Sequence, residues 1–578
     1  MKCVLSISRM LGQNSFAHSH LGWFYFCQRE SRLTSTTQQV PDWLPSPERC
    51  YVVLAVVVGI WLTWDALIFQ LVTYSPHADY WEHTALLTAW LRDLANPGNP
   101  HVLDDSLSPR YMPWFFVLTV IGQWFGLDSV QLMGISAVVS YVLIVIGIQL
   151  FFREYFQDRW APTVAFLVLF LAWGVSWNWS NLYQLRSFFY VAGYPSSFVF
   201  GLSLISFWYT MRVLNGQVSL LKGAPVLLVL AALMFLCHPL TGVFGIFGCG
   251  LLAITVAADS LKTRAVVCVA LLLGSFAVEL WPYFSVWEVT LGSSGNDETS
   301  WAAADQMTAM ERLRSGVWLH IFYRPWFLII MLGFGWLCIA AWFYLLAERR
   351  DPFILLGGAA MMFPYFAHML ISVPLAHRFL LFAMFFFHMA GIRVLLDFMQ
   401  SYFSANEESA KRMQPIAVGL TALVAIAALF NVLLLAGDFT GKHLSPRLEV
   451  KDKFAQLPID GTTVDLYKIL LVGVGPEDVV IAPPEVAWPL PTVTGKAVSL
   501  YHENPMLTDQ MQRAADVGMF FTMGTDAATR EAILEQYDVS WVLIDGSDVP
   551  QAFTDWVQSI GEQTAEVGTY RMYRLNDI

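Results

Sequence analysis

The chain has 578 residues, 56% of them hydrophobic and 13% charged, a balance too apolar for an ordinary soluble protein. Its formal net charge is −12, and the stretch 441–578 alone holds 10 Lys and Arg against 20 Asp and Glu. An acidic soluble part repels phosphate backbones, which excludes nucleic acid as a partner, and no polybasic run offers an electrostatic lipid anchor.

The first fifty residues lack the apolar core and small-residue cleavage site of a signal peptide. They carry Lys2, Arg9, Arg29, Arg32 and Arg49, with Pro41, Pro45 and Pro47 ahead of the first apolar run. We read 1–50 as a cytoplasmic tail; a start codon placed too far upstream is the alternative.

A transmembrane domain follows over 51–436. A helix needs about 20 apolar residues to cross the hydrocarbon. The runs give spans at 51–73, 129–152, 160–177, 194–211, 224–237, 240–258, 265–287, 326–347, 353–373, 378–396 and 414–436, about eleven in all. The run from Met112 to Gly126 is shorter, and charge decides its place. Cytoplasmic loops hold the excess of Lys and Arg. Arg153/Arg159, Arg212/Lys222, Lys262/Arg264, Arg349/Arg350 and Arg393/Lys411/Arg412 share the side of the basic tail only if Met112 to Gly126 does not cross. It is therefore expected to be interfacial or re-entrant, and twelve spans would put every basic loop outside. On this count the outer loop 74–128, the stretch 178–193, the His238-Pro239 turn, the loop 288–325 and the His377-Arg378 turn all face the extracytoplasmic side.

Just after the first span stands Ser75-Pro76-His77-Ala78-Asp79-Tyr80-Trp81-Glu82-His83. Residues three and four apart share a helix face, so Asp79, Glu82 and His83 are expected to converge. Carboxylates with an imidazole suit a general base, or hard ligands for a divalent ion such as Mg or Mn. A hydrated juxtamembrane helix with Tyr80 and Trp81 at headgroup depth would need no chemistry at all.

Downstream come a helical run from Thr84 to Leu94, the polar loop Asn96-Pro97-Gly98-Asn99-Pro100, and Ser108-Pro109-Arg110-Tyr111-Met112-Pro113-Trp114. This order resembles the first outer loop of the GT-C superfamily, membrane glycosyltransferases that use polyprenyl-phosphate-linked sugars. The resemblance implies an acidic residue acting as base in an inverting transfer, and Asp79 matches that position. The familiar tandem acidic pair is absent, because Ala78 and Tyr80 flank Asp79, so the base stays open between Asp79 and Glu82.

The departing lipid phosphate needs cationic stabilisation, from a divalent metal held by Asp79, Glu82 and His83 or from an arginine, whose planar fork suits phosphate. Arg378, in His377-Arg378-Phe379-Leu380 at the outer mouth of a span, resembles the late-span Arg-Phe-Leu signature of several such transferases. Arg186 is a second outer arginine; snorkelling to headgroups would account for either. His238, in Cys237-His238-Pro239-Leu240-Thr241, sits on a turn like those of the same superfamily and is a candidate for binding metal or phosphate.

Elsewhere the signals are weaker. Asp65 falls inside the first span and Glu279 near the outer end of another, and intramembrane acids are costly and often functional. His368 and His388 lie on aromatic-rich helices and read as packed residues. The loop 288–325, with a helical run from Trp301 to Leu313, is either a lid or an ordinary exposed loop. The seven cysteines, Cys3, Cys27, Cys50, Cys237, Cys249, Cys268 and Cys338, show no disulfide or zinc spacing.

The C-terminal part, 441–578, alternates strands at 478–482, 539–544 and 569–575 with helices at 505–520 and 526–537. That pattern indicates a small α/β sheet and resembles the extracytoplasmic domains of some GT-C-like proteins. It holds no nucleophile elbow, phosphate loop or metal cluster, and suits acceptor docking or support of the membrane site.

The expectation is thus a polytopic α-helical protein of the bacterial inner membrane with an extracytoplasmic α/β domain. It would transfer a sugar from a polyprenyl-phosphate lipid to an extracytoplasmic glycan, lipid or protein. A transporter or flippase of lipid-linked sugars, or a non-catalytic assembly protein of envelope polysaccharide synthesis, are the alternatives. A transporter should show internal repeats and interrupted helices, and no repeat is evident.

Overall fold

The computed structural model describes residues 46–68, 79–174, 182–256, 260–289, 332–368, 373, 376–443, 463–502, 504–546 and 549–576. Most of the basic tail and the expected lid, including the run from Trp301 to Leu313, lie outside the described residues.

Helix α1, Pro47–Thr63, begins where Ser46 Oγ accepts from the Arg49 N–H at 3.3 Å, with Pro47 at the first helical position, where its missing N–H costs nothing. It runs on as a π-helical turn, Trp64–Ile68, that holds Asp65 fully buried. After the undescribed residues 69–78 come α2, Tyr80–Arg92, and α3, Pro113–Phe125. The chain then rises through α4, Ser129–Phe156, entered by a capping box in which Asp128 and Gln131 satisfy each other's backbone N–H groups. At 28 residues this helix is about 42 Å long, more than the hydrocarbon requires.

The bundle continues as α5 Ala161–Leu171, α6 Leu185–Val191, α7 Pro195–Leu214, α8 Leu220–Cys237, α9 Pro239–Thr255 and α10 Leu261–Ala277. It closes with α11 Gly335–Ala347, α12 Pro352–Ala367, α13 Phe379–Ser404 and α14 Glu407–His443. Helices α4 and α7 approach closely through small residues: a Cβ on Gly201 would stand 2.8 Å from Leu143 Cβ, and one on Gly147 would stand 2.6 Å from Leu204 Cβ. Without a hydrophobic drive between helices in lipid, such contact supplies the packing.

Among the described residues, seven helices are long and apolar enough to cross a membrane. They fall in seven of the expected runs, and the other four runs hold shorter apolar helices, α5, α9, α11 and α12. The expected span 265–287 ends early, at Ala277 followed by a 3-10 turn to Leu280, because Pro282 cannot continue the ladder. Helix α3 meets α2 at both ends. Tyr111, just before it, packs on Trp90 with ring centres 4.6 Å apart. Gln123 near its end donates to the Trp90 and Leu91 carbonyls at 3.5 Å, and Thr88 then donates to Ser129 Oγ at 2.9 Å. Helix α3 is, like α5, α9, α11 and α12, one of the shorter apolar helices.

Charged residues gather at the opposite end of the bundle from α2. Arg159 pairs with Glu48 at 2.8 Å, Arg350 and Arg393 with Asp397 at 2.8 and 3.3 Å, and Tyr155 donates to Asp351.

The C-terminal unit opens with α15, Thr463–Leu470, and carries β1 Val479–Ile481, β2 Lys496–Ala497, β3 Val539–Asp545, β4 Gly561–Val567 and β5 Tyr570–Leu575 in the order β2-β1-β3-β5-β4. Strand β1 pairs in parallel with β2 and β3, whereas β5 pairs antiparallel with β3 and β4. Alternation along β3 sends Trp541 and Leu543 to one core with Leu466, Tyr467 and Leu470, and Val542 and Ile544 to another with Val517, Phe520, Ile533 and Val557. The latter layer is supplied by α18 Gln510–Phe521, α19 Ala527–Gln536 and α20 Gln551–Ile560; two short turns, α16 Pro484–Ala487 and α17 Leu490–Val493, lie between β1 and β2.

This unit docks on the first outer loop. Val102 extends the sheet by a parallel bridge to Ala497, whose N–H donates to the His101 carbonyl at 2.7 Å. Lys496 Nζ, buried, donates to the Asn99 carbonyl at 2.5 Å. Thr84 and Thr492 share a hydroxyl contact at 2.7 Å, and Asn504 donates to the Leu107 carbonyl at 3.0 Å. The outer loop and the C-terminal domain therefore lie on the same side of the bundle.

Candidate active site

A cavity of about 280 Å³ opens where the outer loop meets the ends of the spans. Its polar lining is Asp79 and His83 of α2, Arg110 of the following loop, His238 and Thr241 at the α8–α9 turn, and Arg378 ahead of α13. Leu236, Leu240, Phe284, Val286, Leu381 and Phe382 form much of its apolar wall.

Four helices begin at this cavity. Asp79 is the N-cap of α2, Tyr194 of α7, His238 of α9 and Arg378 of α13, and all four line it. Each N-terminus carries the positive end of a macrodipole. Together with the arginines they make a place for an anion.

The side chains differ in what they have left to offer. Arg378 Nε is buried and has no hydrogen-bond partner among the described residues. Asp79 makes no cap hydrogen bond, and its side chain is 47% exposed. His83 is buried against Phe115 and Tyr194, and its Nδ1 has no partner among the described residues. Burial pushes the His83 pKa down to about 4, and Arg110 adds to the effect, so the ring is neutral at pH 7. His238 Nδ1 accepts from the Thr241 N–H at 3.2 Å. Its pKa is also lowered to about 4, by burial first and then by Arg378.

Glu82 is not in the cavity lining. One of its oxygens accepts from Trp488 Nε1 of the C-terminal domain at 2.8 Å. The other meets His101 Nε2 at 3.0 Å and Arg110 at 3.3 Å. Burial opposes its ionisation, but His101, Arg110 and His502 outweigh that and hold the carboxyl below the usual range. The expected convergence of Asp79, Glu82 and His83 thus fails: Asp79 caps the helix, His83 faces the cavity and Glu82 turns to the soluble domain. Among the described residues no three His, Cys, Asp or Glu side chains form a group able to hold a metal. The expected Mg or Mn site on these three residues does not fit.

Arg186, on α6, is likewise outside the cavity lining. Glu279 accepts from the Trp287 N–H at 3.2 Å. His388 packs against Trp173 and Tyr183, and His368 Nδ1 accepts from the Val373 N–H at 3.1 Å.

No protein-family model matches the sequence, and no curated protein matches it. Solved structures do. The arabinofuranosyltransferase AftD from Mycobacteria superposes over 92% of this chain and 40% of its own, at 13% identity and a TM-score of 0.53. The chain shares the fold of this transferase. Two further similar structures score lower. The Archaeoglobus fulgidus oligosaccharyltransferase gives 13% identity, 86% and 69% coverage and a TM-score of 0.49. ArnT from Cupriavidus metallidurans, bound to undecaprenyl phosphate, gives 12%, 90% and 97%, and 0.48. This chain spans less than half the length of AftD.

Within the GT-C fold, sequence reasoning missed the residues that complete the site from a distance. Arg110 stood inside the Ser-Pro-Arg-Tyr stretch that carried the resemblance, and its position beside the outer-loop acids was the available signal. His101, Trp488 and His502 had none. His502 Nε2 stands 3.7 Å from Asp79 Oδ1, across more than four hundred residues of sequence.

Proposed function

We propose that the chain is an inverting membrane glycosyltransferase that moves a sugar from a polyprenyl-phosphate donor to an extracytoplasmic acceptor. One observation carries the reading: Arg378, whose buried Nε has no partner among the described residues, and the half-exposed carboxylate of Asp79 line one cavity, at which four helices begin. The GT-C fold supports it.

In this reading the donor's phosphate lies against Arg378 and the helix N-termini, with the prenyl chain along the apolar wall. Asp79 takes the proton of the acceptor hydroxyl as its oxygen bonds to the anomeric carbon. The anomeric carbon–phosphate oxygen bond breaks, and the electron pair leaves on a phosphate stabilised by Arg378. His83 and His238, neutral, contribute hydrogen bonds and no charge. Glu82 positions Arg110 and does not act as the base. Because the basic loops gather away from the cavity, the site faces the extracytoplasmic side of a bacterial inner membrane.

The test is transfer from radiolabelled polyprenyl-phosphate sugars by the full chain in detergent. Asp79→Asn is expected to lower turnover by about 10²-fold or more. Undiminished transfer by that variant would remove Asp79 as base. Donor translocation across vesicles with no transfer would instead make the protein a transporter.

A further inference from the structure

We infer that Trp488, Tyr501 and His502 of the C-terminal domain form an acceptor subsite that binds a sugar ring beside Asp79. The inference rests on the glycosyltransferase reading and names the acceptor as carbohydrate.

Tyr501 is 43% exposed, unusual for so large a ring. Trp488 covers one of its faces, with ring centres 4.2 Å apart and planes 22° from parallel, and His502 meets it edge-on at 5.0 Å. The remaining face is held flat and open. Trp488 is buried and fixed by its hydrogen bond to Glu82 at 2.8 Å. Glu82 lies on the same helix as Asp79, so platform and base are parts of one rigid body, and little ordering cost remains for a ligand that stacks there.

The chemistry of the surface selects the ligand. The negative face of an aromatic ring attracts the polarised C–H bonds on the flat side of a pyranose or furanose, whose hydroxyls point outward at the rim. At the rim stands His502 Nε2, shielded from solvent, with no hydrogen-bond partner among the described residues and 3.7 Å from Asp79. A ring stacked on Tyr501 thus lies beside His502, which itself stands next to the base. Other acceptors find less. A peptide recognised as an added strand needs a free sheet edge, and the nearby edge of β2 is taken by Val102. A lipid acceptor needs its own apolar track, and the apolar wall of the cavity comes from the spans that serve the donor.

The experiment is saturation-transfer NMR on the full chain in detergent, with a panel of methyl pyranosides and methyl furanosides as probes. Ring C–H protons of at least one glycoside are expected to receive saturation in the wild type and in Tyr501→Phe, and to lose it in Tyr501→Ala. Tyr501 is a surface position, so the alanine variant is expected to fold; an unchanged melting temperature checks that. In the transfer assay, Tyr501→Ala is expected to raise the acceptor KM about ten-fold and leave the donor KM unchanged. No glycoside binding to the wild type, or equal binding to Tyr501→Ala, would overturn the subsite. Binding that depends on Tyr501 with no transfer from any donor would overturn the glycosyltransferase reading alone.

Discussion

At pH 7 the positive charge in the cavity belongs to its arginines. Burial keeps His83 and His238 neutral, and Arg110 already shares its charge with Glu82 at 3.3 Å. Arg378, whose Nε has no partner among the described residues, is left to meet a phosphate. Arg378→Gln is expected to raise the donor KM at least ten-fold, a loss of about 1.4 kcal/mol or more, with the acceptor KM unchanged; steady-state kinetics with each substrate varied in turn would show it. The histidine gives a pH signature. Its folded-state pKa of about 4 lies below the ordinary value of 6.5, so the native state resists a proton that the unfolded chain accepts. Its contribution is complete above pH 6.5 and drains away as pH falls towards 4. Melting temperatures in detergent at pH 7 and pH 5 should therefore converge in His83→Phe relative to the wild type. Glu82 follows the opposite electrostatics but the same sign, since its lowered pKa makes its contribution vanish as pH drops below the normal carboxylate range. Glu82→Gln leaves half-buried Arg110 without its counter-charge and weakens the contact with His101, which should appear as a lower unfolding midpoint.

The elements explain what the sequence disclosed and what it hid. The apolar runs were legible because lipid demands long uniform helices, and the run from Met112 to Gly126, set apart in the sequence by charge asymmetry, is one of the shorter apolar helices. Strands β1, β3 and β5 were legible as β-branched or aromatic runs. Strand β4, Gly561–Val567, reads Gly-Glu-Gln-Thr-Ala-Glu-Val and is an exposed edge, so its polar residues concealed it. Strand β2 is two residues long and exists because β1 and the outer loop flank it. The misplacement of Glu82 has the same origin. Helical spacing set it beside Asp79, but Asp79 caps the helix from outside it, and Trp488 draws Glu82 the other way. Local periodicity cannot report a partner four hundred residues on. The junction itself is open to test: Ala497→Pro removes the N–H that meets the His101 carbonyl at 2.7 Å and lacks any substitute donor. Faster proteolytic release of the C-terminal domain from membranes is the expected result, with the spans left intact.

Across the whole molecule, the arrangement demands that Met523 and Arg412 sit on opposite faces of the bilayer. Both are well exposed, Met523 at the tip beyond α18 and Arg412 at the start of α14. With the native cysteines replaced, a membrane-impermeant maleimide should label Met523→Cys in intact spheroplasts and Arg412→Cys only after lysis. Equal labelling of the two would break the topology, and with it the shared side on which the cavity and the soluble domain meet.

The main-chain bridge between Val102 and Ala497 has a bearing on traffic through the cavity. A domain sewn to the loop by backbone pairing cannot tip back like a hinged cap without first ripping that seam. That seam restricts admission from above. Under the proposed function, the greasy, phosphate-bearing reactant would slip in sideways from the bilayer, and its spent carrier would drift out by the same flank.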